Sequence, residues 1–337
     1  TNAHGNTGTG ERDININAEL PGLRVNTISG DDVINAIEQQ QDLTVTGSST
    51  HLAEGTQITV TINGVDYAAV VTANGSWQIG VPASDLQAWT AGDMTVNVSA
   101  QDAWGNTVSA EHPIELDLNA VAVTIDTVSS DDMLNAAEKG ADLTLSDQTQ
   151  GVEAGQTVVV KFADQTFTAQ VQQDGSWSLN VPASAMETLI DGRAQVSVSV
   201  TNVNGNSADA SRVVTVDTQP PSITLDNLTD DNIINAAEAQ QDLVLSGSTT
   251  AEAGQTVTVT LNGKSYQTTV QTDGTWTLNV PAADVDALTD GTVTVTATVS
   301  DVAGNSSSAD RVGLVDATVP QVTINEFVTD TNTVNQL

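Results

Sequence analysis

The sequence of 337 residues contains no cysteine, so no disulfide framework holds the fold and no thiolate can bind a metal. Basic residues are scarce, at 8 against 43 acidic residues, which gives a formal net charge of −35. A chain with this charge repels nucleic acid and anionic lipid and attracts cations. No apolar run approaches the ~18 residues that a membrane-spanning helix requires. We therefore expect neither nucleic-acid binding nor direct membrane insertion.

Residues that could build a catalytic site are also few. The three histidines, His4, His51 and His112, do not share a position in the repeat described below, and no phased serine accompanies them. A nucleophile needs an adjacent base in a fixed arrangement, which this pattern does not provide. No Gly-rich phosphate-binding loop precedes a helix. The sequence therefore predicts a protein that is not an enzyme.

A phrase rich in Asp, Asn and Glu recurs at a period of 100 residues. Its copies begin at Asp31, Asp131 and Asp231, and a damaged fourth copy begins at Thr331. A fixed period is typical of an array of similar domains. We predict three whole domains, called the first, second and third repeats, between two incomplete ones. The predicted bounds are 1–23 for the end of a preceding repeat, 24–120, 121–218 and 219–318 for the three repeats, and 319–337 for the start of a following repeat.

Inside each repeat the apolar residues alternate with a period of two. In residues 257–261, for example, Val and Leu alternate with Thr, which predicts a half-buried β-strand. Asn-Gly or Asp-Gly pairs, which favour tight hairpins, precede a tryptophan in every repeat, at Trp77, Trp177 and Trp276. About seven short strands in about 100 residues indicate an all-β, immunoglobulin-like β-sandwich. We expect these sandwiches to be arranged end to end as a rod.

Strand direction predicts which acidic segments meet when two repeats stack. The repeated phrase connects strands A and B at the bottom of each sandwich, where strand G also ends, whereas the F–G loop lies at the top. The bottom of one repeat would then face the F–G loop of the next. Clustered carboxylates repel one another, and Ca²⁺, which takes six to eight oxygen ligands, would relieve that repulsion. The alternative is that Asp-x-x-Gly-Asn in the F–G loop only forms a tight turn capped by its first side chain.

The candidate Ca²⁺ ligands are the oxygen-bearing side chains at these ends. Between the second and third repeats they are Asp126, Asp131, Asp132, Glu138, Asp217 and Asp301. Between the first and second repeats they are Asp31, Asp32, Glu38, Asp117 and Asn202, and Asp102 holds the same place in the F–G loop of the first repeat. Asn26 replaces Asp126 and Asn202 replaces Asp301, so we predict tighter binding at the junction between the second and third repeats.

Three phrases also carry a resemblance to a known family. The repeated Asp/Asn-rich phrase, residues 301–305 and residues 216–221 resemble the tandem bacterial Ig-like repeats of giant biofilm-associated adhesins of the BapA type. The resemblance covers the whole chain. It implies an extracellular stalk segment on the bacterial cell surface, exported by type I secretion, with Ca²⁺ at the domain junctions. The sequence departs from the family pattern at Asn202 and in residues 117–120, which lack the Pro pair.

A binding module is the alternative to a structural stalk. Trp104 lies in the predicted F–G loop of the first repeat, and its counterparts Asn204 and Ala303 are not aromatic. An exposed tryptophan can stack on a sugar or contact a protein, and it can equally pack against a neighbouring domain. The expected partners are thus the neighbouring repeats and, under the alternative, a cell-surface or matrix polysaccharide or protein.

Overall fold

The structure is a computed structural model that describes residues 1–14 and 19–323. Each of the three repeats contains two sheets that enclose a hydrophobic core of their own. The all-β, immunoglobulin-like sandwich expected from the sequence is therefore present. The fourth copy of the repeated phrase, at Thr331, lies outside the described residues. Within those residues no helix is long and apolar enough to cross a membrane.

The strands follow one another in the same order in each repeat. In the first repeat they are β1 (Gly22–Val25), β2 (Val33–Asn35), β3 (Leu43–Thr50), β4 (Gln57–Ile62), β5 (Val65–Val70), β6 (Ser76–Val81), β7 (Gly92–Gln101) and β8 (Thr107–Asp117). In the second they are β9 (Ala122–Val123), β10 (Met133–Leu134), β11 (Leu143–Gln150), β12 (Thr157–Phe162), β13 (Gln165–Gln170), β14 (Ser176–Val181), β15 (Gly192–Thr201) and β16 (Ser207–Val216).

The third repeat contains β17 (Ile233–Asn235), β18 (Leu243–Ser248), β19 (Thr256–Leu261), β20 (Lys264–Thr269), β21 (Thr275–Val280), β22 (Gly291–Ser300) and β23 (Ser306–Asp316). The α-helices are α1 (Ala83–Leu86), α2 (Ala136–Lys139), α3 (Ala183–Met186) and α4 (Ala282–Val285), and short 3-10 turns span Glu38–Gln40, Val128–Ser130 and Glu238–Gln240. Five strands form the larger sheet of each repeat, in the orders β2-β8-β7-β4-β5, β10-β16-β15-β12-β13 and β17-β23-β22-β19-β20.

Alternating β-branched residues build the sandwich cores. On β19, Val257 and Val259 are fully buried while the alternating threonines are exposed or partly exposed, because successive side chains of a strand point to opposite faces. Trp77, Trp177 and Trp276 lie between the sheets and are almost completely buried. Gly47 makes room for the first of them, since a Cβ there would lie 2.1 Å from the Trp77 ring. The tryptophans are thus core anchors, each placed in the strand that follows its Asn-Gly or Asp-Gly turn.

The repeated phrase contains a short parallel strand that the period-two pattern did not predict. β2 pairs in parallel with the end of β8, so that Asn35 lies opposite Asp117. β10 and β17 pair with β16 and β23 in the same way. Runs of two or three residues are too short to show a periodic pattern. This pairing holds the A–B segment and the end of strand G side by side at the bottom of each repeat.

Candidate functional site: the seams between repeats

Two seams join the three repeats, and both have the composition that strand direction predicts. The first seam brings the bottom of the first repeat (Asn35, Ala36 and Asp117) against the F–G loop of the second (202–206). The second seam brings Asn135, Ala136 and Asp217 against the F–G loop of the third repeat (301–305). These contacts are hydrogen bonds between side-chain amides, backbone groups and the Asp117 carboxylate.

One asparagine spans each seam and uses both ends of its amide. In the first seam, Asn206 Nδ2 donates to the Asp117 carbonyl at 3.0 Å, and Asn206 Oδ1 accepts from Ala36 N at 2.9 Å. In the second seam, Asn305 makes the same pair of bonds to the Asp217 carbonyl at 2.9 Å and to Ala136 N at 3.0 Å. Both asparagines are buried, so losing either partner would leave a buried amide unsatisfied.

A glycine allows the close approach of the two backbones. Gly205 and Gly304 both adopt a left-handed backbone, with φ of +84° and +90°, which favours glycine. A Cβ on Gly205 would lie 2.6 Å from Asn35 Nδ2 across the seam, and one on Gly304 would lie 3.2 Å from Asn135 Nδ2. The Gly-Asn pairs of the second and third F–G loops therefore both close the turn and contact the preceding repeat.

The first residue of each F–G loop caps its own turn. Asp102 Oδ1 accepts from the backbone N–H of Asn106 at 2.8 Å, and Asn202 and Asp301 accept the equivalent bond from Asn206 and Asn305 at 2.8 Å. Burial opposes ionisation of Asp102, but bonds from Asn106 and neighbouring backbone N–H groups outweigh it and lower the Asp102 pKa. The turn-capping alternative therefore describes the hydrogen bonds of these three predicted ligands.

The carboxylates that end strand G differ between the two seams. Asp117 is only 3% exposed, and its two oxygens accept from Asn204 Nδ2 at 2.7 Å and from Asn119 N at 2.8 Å. Burial opposes ionisation, but these bonds outweigh it and lower the pKa of Asp117. Asp217 is half-buried, and Oδ1 accepts from Gln219 N at 3.1 Å. Among the described residues nothing donates a hydrogen bond to its second oxygen.

The linkers that leave strand G are also held differently. Asp191 Oδ1 accepts from the backbone N–H and the hydroxyl of Thr218, at 3.0 and 2.8 Å. These bonds lower the pKa of Asp191. Asp290 holds Ala317 N in the same way, at 2.8 Å. The first repeat has Ala91 at this position, so its linker is held by the bond to Asp117 described above.

Most acidic residues of the repeated phrase are used within their own repeat. Asp32 and Asp132, with positive φ, accept from the backbone N–H of Ile28 and Val128 at 2.7 and 2.9 Å. Asp31 and Asp131 accept from the backbone N–H of Val33 and Met133, and Asp126 accepts from the Ser146 hydroxyl. Asp32 and Asp132 also contact His112 and Arg212 of strand G, at 2.7 and 2.8 Å.

Glu38 and Glu138 also bond within the repeated phrase, close to the seams. Glu138 and Asn135 form a capping box at the start of α2, in which Glu138 Oε2 accepts from Asn135 N at 3.0 Å. Glu38 accepts the same bond from Asn35 N. Among the described residues, no three His, Asp or Glu side chains are gathered as metal ligands. Oxygen atoms at the seams are thus supplied by amides and carbonyls as well as by carboxylates.

Trp104 lies on the top face of the first repeat. Its side chain is 64% exposed, and its backbone N–H donates to Asp102 Oδ1 at 2.9 Å. The equivalent residues of the other F–G loops, Asn204 and Ala303, contact the repeat that precedes them. Trp104 therefore occupies the F–G loop position that contacts the preceding repeat in the second and third repeats.

The residues that carry the seam contacts are not among the ligands predicted from the sequence. Asn206 and Asn305 lie in the predicted F–G turns, and Asn135 lies in the repeated phrase. A usable signal was present, because Asn occurs at the last position of all three F–G loops and at the same place in the phrase, at Asn35, Asn135 and Asn235. Asparagine both donates and accepts through one planar amide, which suits a bridge between two backbones.

Comparison with known proteins gives a consistent family. Residues 221–326 match the model of the bacterial Ig-like domain. The chain is 33% identical to a Ca²⁺-stabilised adhesin with which an Antarctic bacterium binds ice; the match covers 89% of this chain and 75% of that one, with a TM-score of 0.45. It is 30% identical to part of a 1.5-MDa bacterial ice-binding adhesin, over 90% of this chain and 99% of that one, with a TM-score of 0.45.

A single domain gives a further match. The bacterial immunoglobulin-like domain of the M. primoryensis ice-binding adhesin is 38% identical, over 30% of this chain and 100% of that one, with a TM-score of 0.25. Comparison with curated protein sequences gave no match. The assignment rests on the family model and on sequence identity across most of the chain. The chain belongs to the bacterial Ig-like domain family.

Proposed function

We propose that this chain is a stalk segment of a large bacterial cell-surface adhesin that serves biofilm formation and cell adhesion. In this role the repeats hold a binding region away from the cell and need contacts only with their neighbours. The observation that carries the proposal is the bridging asparagine. At both seams it joins the end of strand G in one repeat to the F–G loop of the next repeat, with the same hydrogen bond. An extracellular location, a BapA-type parent protein and export by type I secretion belong to the same proposal.

Ca²⁺ at the seams forms the second part of the proposal. The donor chemistry suits a hard cation, because the residues of the second seam include the carboxylates of Asp217, Asp301 and Glu138 and the backbone carbonyls of Asp217 and Ala303. Calcium accepts such mixed oxygen ligands, whereas zinc favours His and Cys. Asp217, Asp301 and Glu138 would be the carboxylate ligands, and they would have to draw together around the ion, because no three acidic side chains of the described residues are gathered as metal ligands. When bound, it would supply positive charge that offsets the repulsion between these carboxylates.

The relatives support this reading, since one matching adhesin is described as Ca²⁺-stabilised and another is part of a very large surface adhesin. Asp126, Asp131 and Asp132 contribute least, because their hydrogen bonds and ion pair lie inside the second repeat. Asp31 and Asp32 occupy the matching places in the first repeat. We therefore centre the proposed calcium ligands on the seam carboxylates.

Calorimetric melting of the whole chain tests the metal. A ligand that binds only the aligned state stabilises it by about 2.7 kcal/mol when its concentration is 100 times its Kd. We expect excess calcium to raise the melting temperature and EDTA to lower it, while the sandwiches stay folded at room temperature because each has its own core. Identical melting curves in calcium and in EDTA would contradict calcium at the seams.

A carbohydrate- or protein-binding module is the second candidate, and the exposure of Trp104 is the observation that favours it. The place of Trp104 in a seam-type loop favours contact with a preceding repeat instead. We expect Trp104→Ala to leave binding of the chain to matrix polysaccharide unchanged in a saturation assay. Binding that is saturable and lost in Trp104→Ala would establish the binding module, and Trp89→Phe, at a buried position, serves as the control for general destabilisation.

A further inference from the structure

The two seams have the same backbone contacts but different charge. In the second seam, Asp217 and Asp301 both bear carboxylates. Ala303, the middle residue of the F–G loop, has no polar side chain. In the first seam the corresponding residues are Asp117, Asn202 and Asn204. One carboxylate has thus been removed, and one amide donor has been added at the position where the second seam has a methyl group.

The added amide satisfies the carboxylate that remains. Asn204 Nδ2 donates to Asp117 Oδ2 at 2.7 Å, across the seam, and Asn119 N donates to the other oxygen. A hydrogen bond to an ionised acceptor is roughly twice as strong as a neutral one. Asp117 is almost completely buried, and a buried carboxylate requires such partners. Its charge is therefore balanced by donors of the protein itself.

The second seam lacks this arrangement. Ala303 has no side-chain donor; its carbonyl accepts from Asn135 Nδ2 at 3.0 Å, and the residue is buried. Asp301 is bonded to Asn305 within its own loop, at 2.8 and 3.1 Å. Lys139, which follows the capping box of the second repeat, directs its ammonium to the Leu189 carbonyl. Within the described residues, Asp217 thus receives no side-chain donor from the third repeat.

We infer that the first seam is a calcium-independent joint, in which the Asn204 amide takes the place of a cation against Asp117, whereas the second seam depends on calcium. This inference rests on the proposed calcium role and divides it between the seams. It gives the chain two kinds of joint: one that stays aligned without metal and one that loosens when calcium is removed. The Asn204 and Ala303 positions decide which kind a seam is.

The absence of cysteine allows a direct test in the whole chain. Cysteines at the exposed and equivalent positions Ser99, Ser199 and Thr298 would carry spin labels in pairs, Ser99 with Ser199 for the first seam and Ser199 with Thr298 for the second. The width of the measured distance distribution reports how firmly each seam is aligned. We expect EDTA to broaden the distribution across the second seam and leave the first unchanged.

Exchanging the two residues should exchange the behaviour of the seams. Asn204→Asp replaces a donor by a carboxylate beside Asp117, so the first seam should broaden in EDTA and narrow again in calcium chloride. Ala303→Asn should make the second seam insensitive to EDTA. Asn74→Asp is the matched control, because it adds the same charge at a turn where the other repeats carry Asp174 and Asp273, and it should change neither seam.

The outcomes separate this inference from the proposed function. If the unchanged first seam broadens in EDTA as much as the second, the inference is wrong while the calcium role stands. If neither seam responds to EDTA, the calcium role fails. Asn204→Ala then tests the other claim, that the Asn204 amide aligns the first seam through its bond to Asp117. Broadening of the first seam in Asn204→Ala, with or without calcium, supports the amide contact, and an unchanged distribution overturns it.

Discussion

Asp117 shows how a single carboxylate can be kept charged at a buried joint. It loses most of its contact with water, which opposes ionisation, but the bonds from Asn204 and from Asn119 N favour the charged form more strongly and lower its pKa. A carboxylate with a lowered folded pKa contributes its full stabilisation above its unfolded pKa of about 3.9. That contribution is lost as the pH falls through the folded value.

This shift makes a prediction about acid stability. Asp117→Asn should lower stability at neutral pH by about 1 kcal/mol, because one charge-assisted bond across the first seam is weakened. The difference from the unchanged chain should shrink as the pH falls through the lowered folded pKa of Asp117, since the carboxyl then becomes protonated in the folded state as well. Thermal melting between neutral and acidic pH measures it, with the exposed Asp209→Asn as control. A difference that stays constant across this range would contradict an ionised Asp117.

At the residue scale, the sequence predicted which residue types gather at the seams but not what each one contacts. Asp132 was a candidate ligand, and it pairs with Arg212 and caps the turn at Val128. An aspartate can cap a backbone, pair with a base or bind a metal. The choice depends on loop geometry and on partners distant in sequence, which residue spacing within one phrase does not specify.

Among the elements, the F–G loop is the one whose shape the seam constrains most. Gly205→Ala should broaden the label distances across the first seam, because its Cβ would lie 2.6 Å from Asn35 Nδ2. Alanine at positive φ adds backbone strain of roughly 1–2 kcal/mol.

Gly105→Ala provides the control for that strain. Gly105 has φ of +90°, and its nearest atom beyond the chain neighbours, Gln101 Nε2, would lie 3.9 Å from the new Cβ. It should lower the melting temperature of the first repeat without altering either seam. Equal broadening in both variants would show that loop strain, rather than the contact with Asn35, sets the alignment.

The elements themselves were largely predictable from sequence. Period-two runs and Asn-Gly or Asp-Gly turns identified the long strands, and Pro82, Pro182 and Pro281 preceded the short helices α1, α3 and α4. The parallel strand β2 was not predicted, because three residues cannot show a period and its pairing with β8 is long-range. That strand holds Asn35 next to Asp117. The element that was hardest to predict therefore places the residues that the first repeat contributes to the first seam.

For the whole molecule, the large negative charge and the two seams together determine the expected response to calcium. Asp217→Asn should weaken calcium binding by on the order of ten-fold, whereas Asp117→Asn should change it little, since affinity rises with the charge of the ligands. Titration calorimetry of the full chain at low salt measures both variants. Equal losses, or a larger loss in Asp117→Asn, would show that the ligands are assigned to the wrong seam.

Small-angle scattering of the whole chain, in calcium and then in EDTA, tests the central claim most directly. Strands rise about 3.3 Å per residue, so each sandwich of eight- to ten-residue strands with its loops spans roughly 40 Å, and three in line give a rod on the order of 120 Å. We predict this rod in calcium and a broader range of shapes in EDTA, with folded sandwiches in both. A compact particle in calcium would contradict a stalk built from end-to-end repeats.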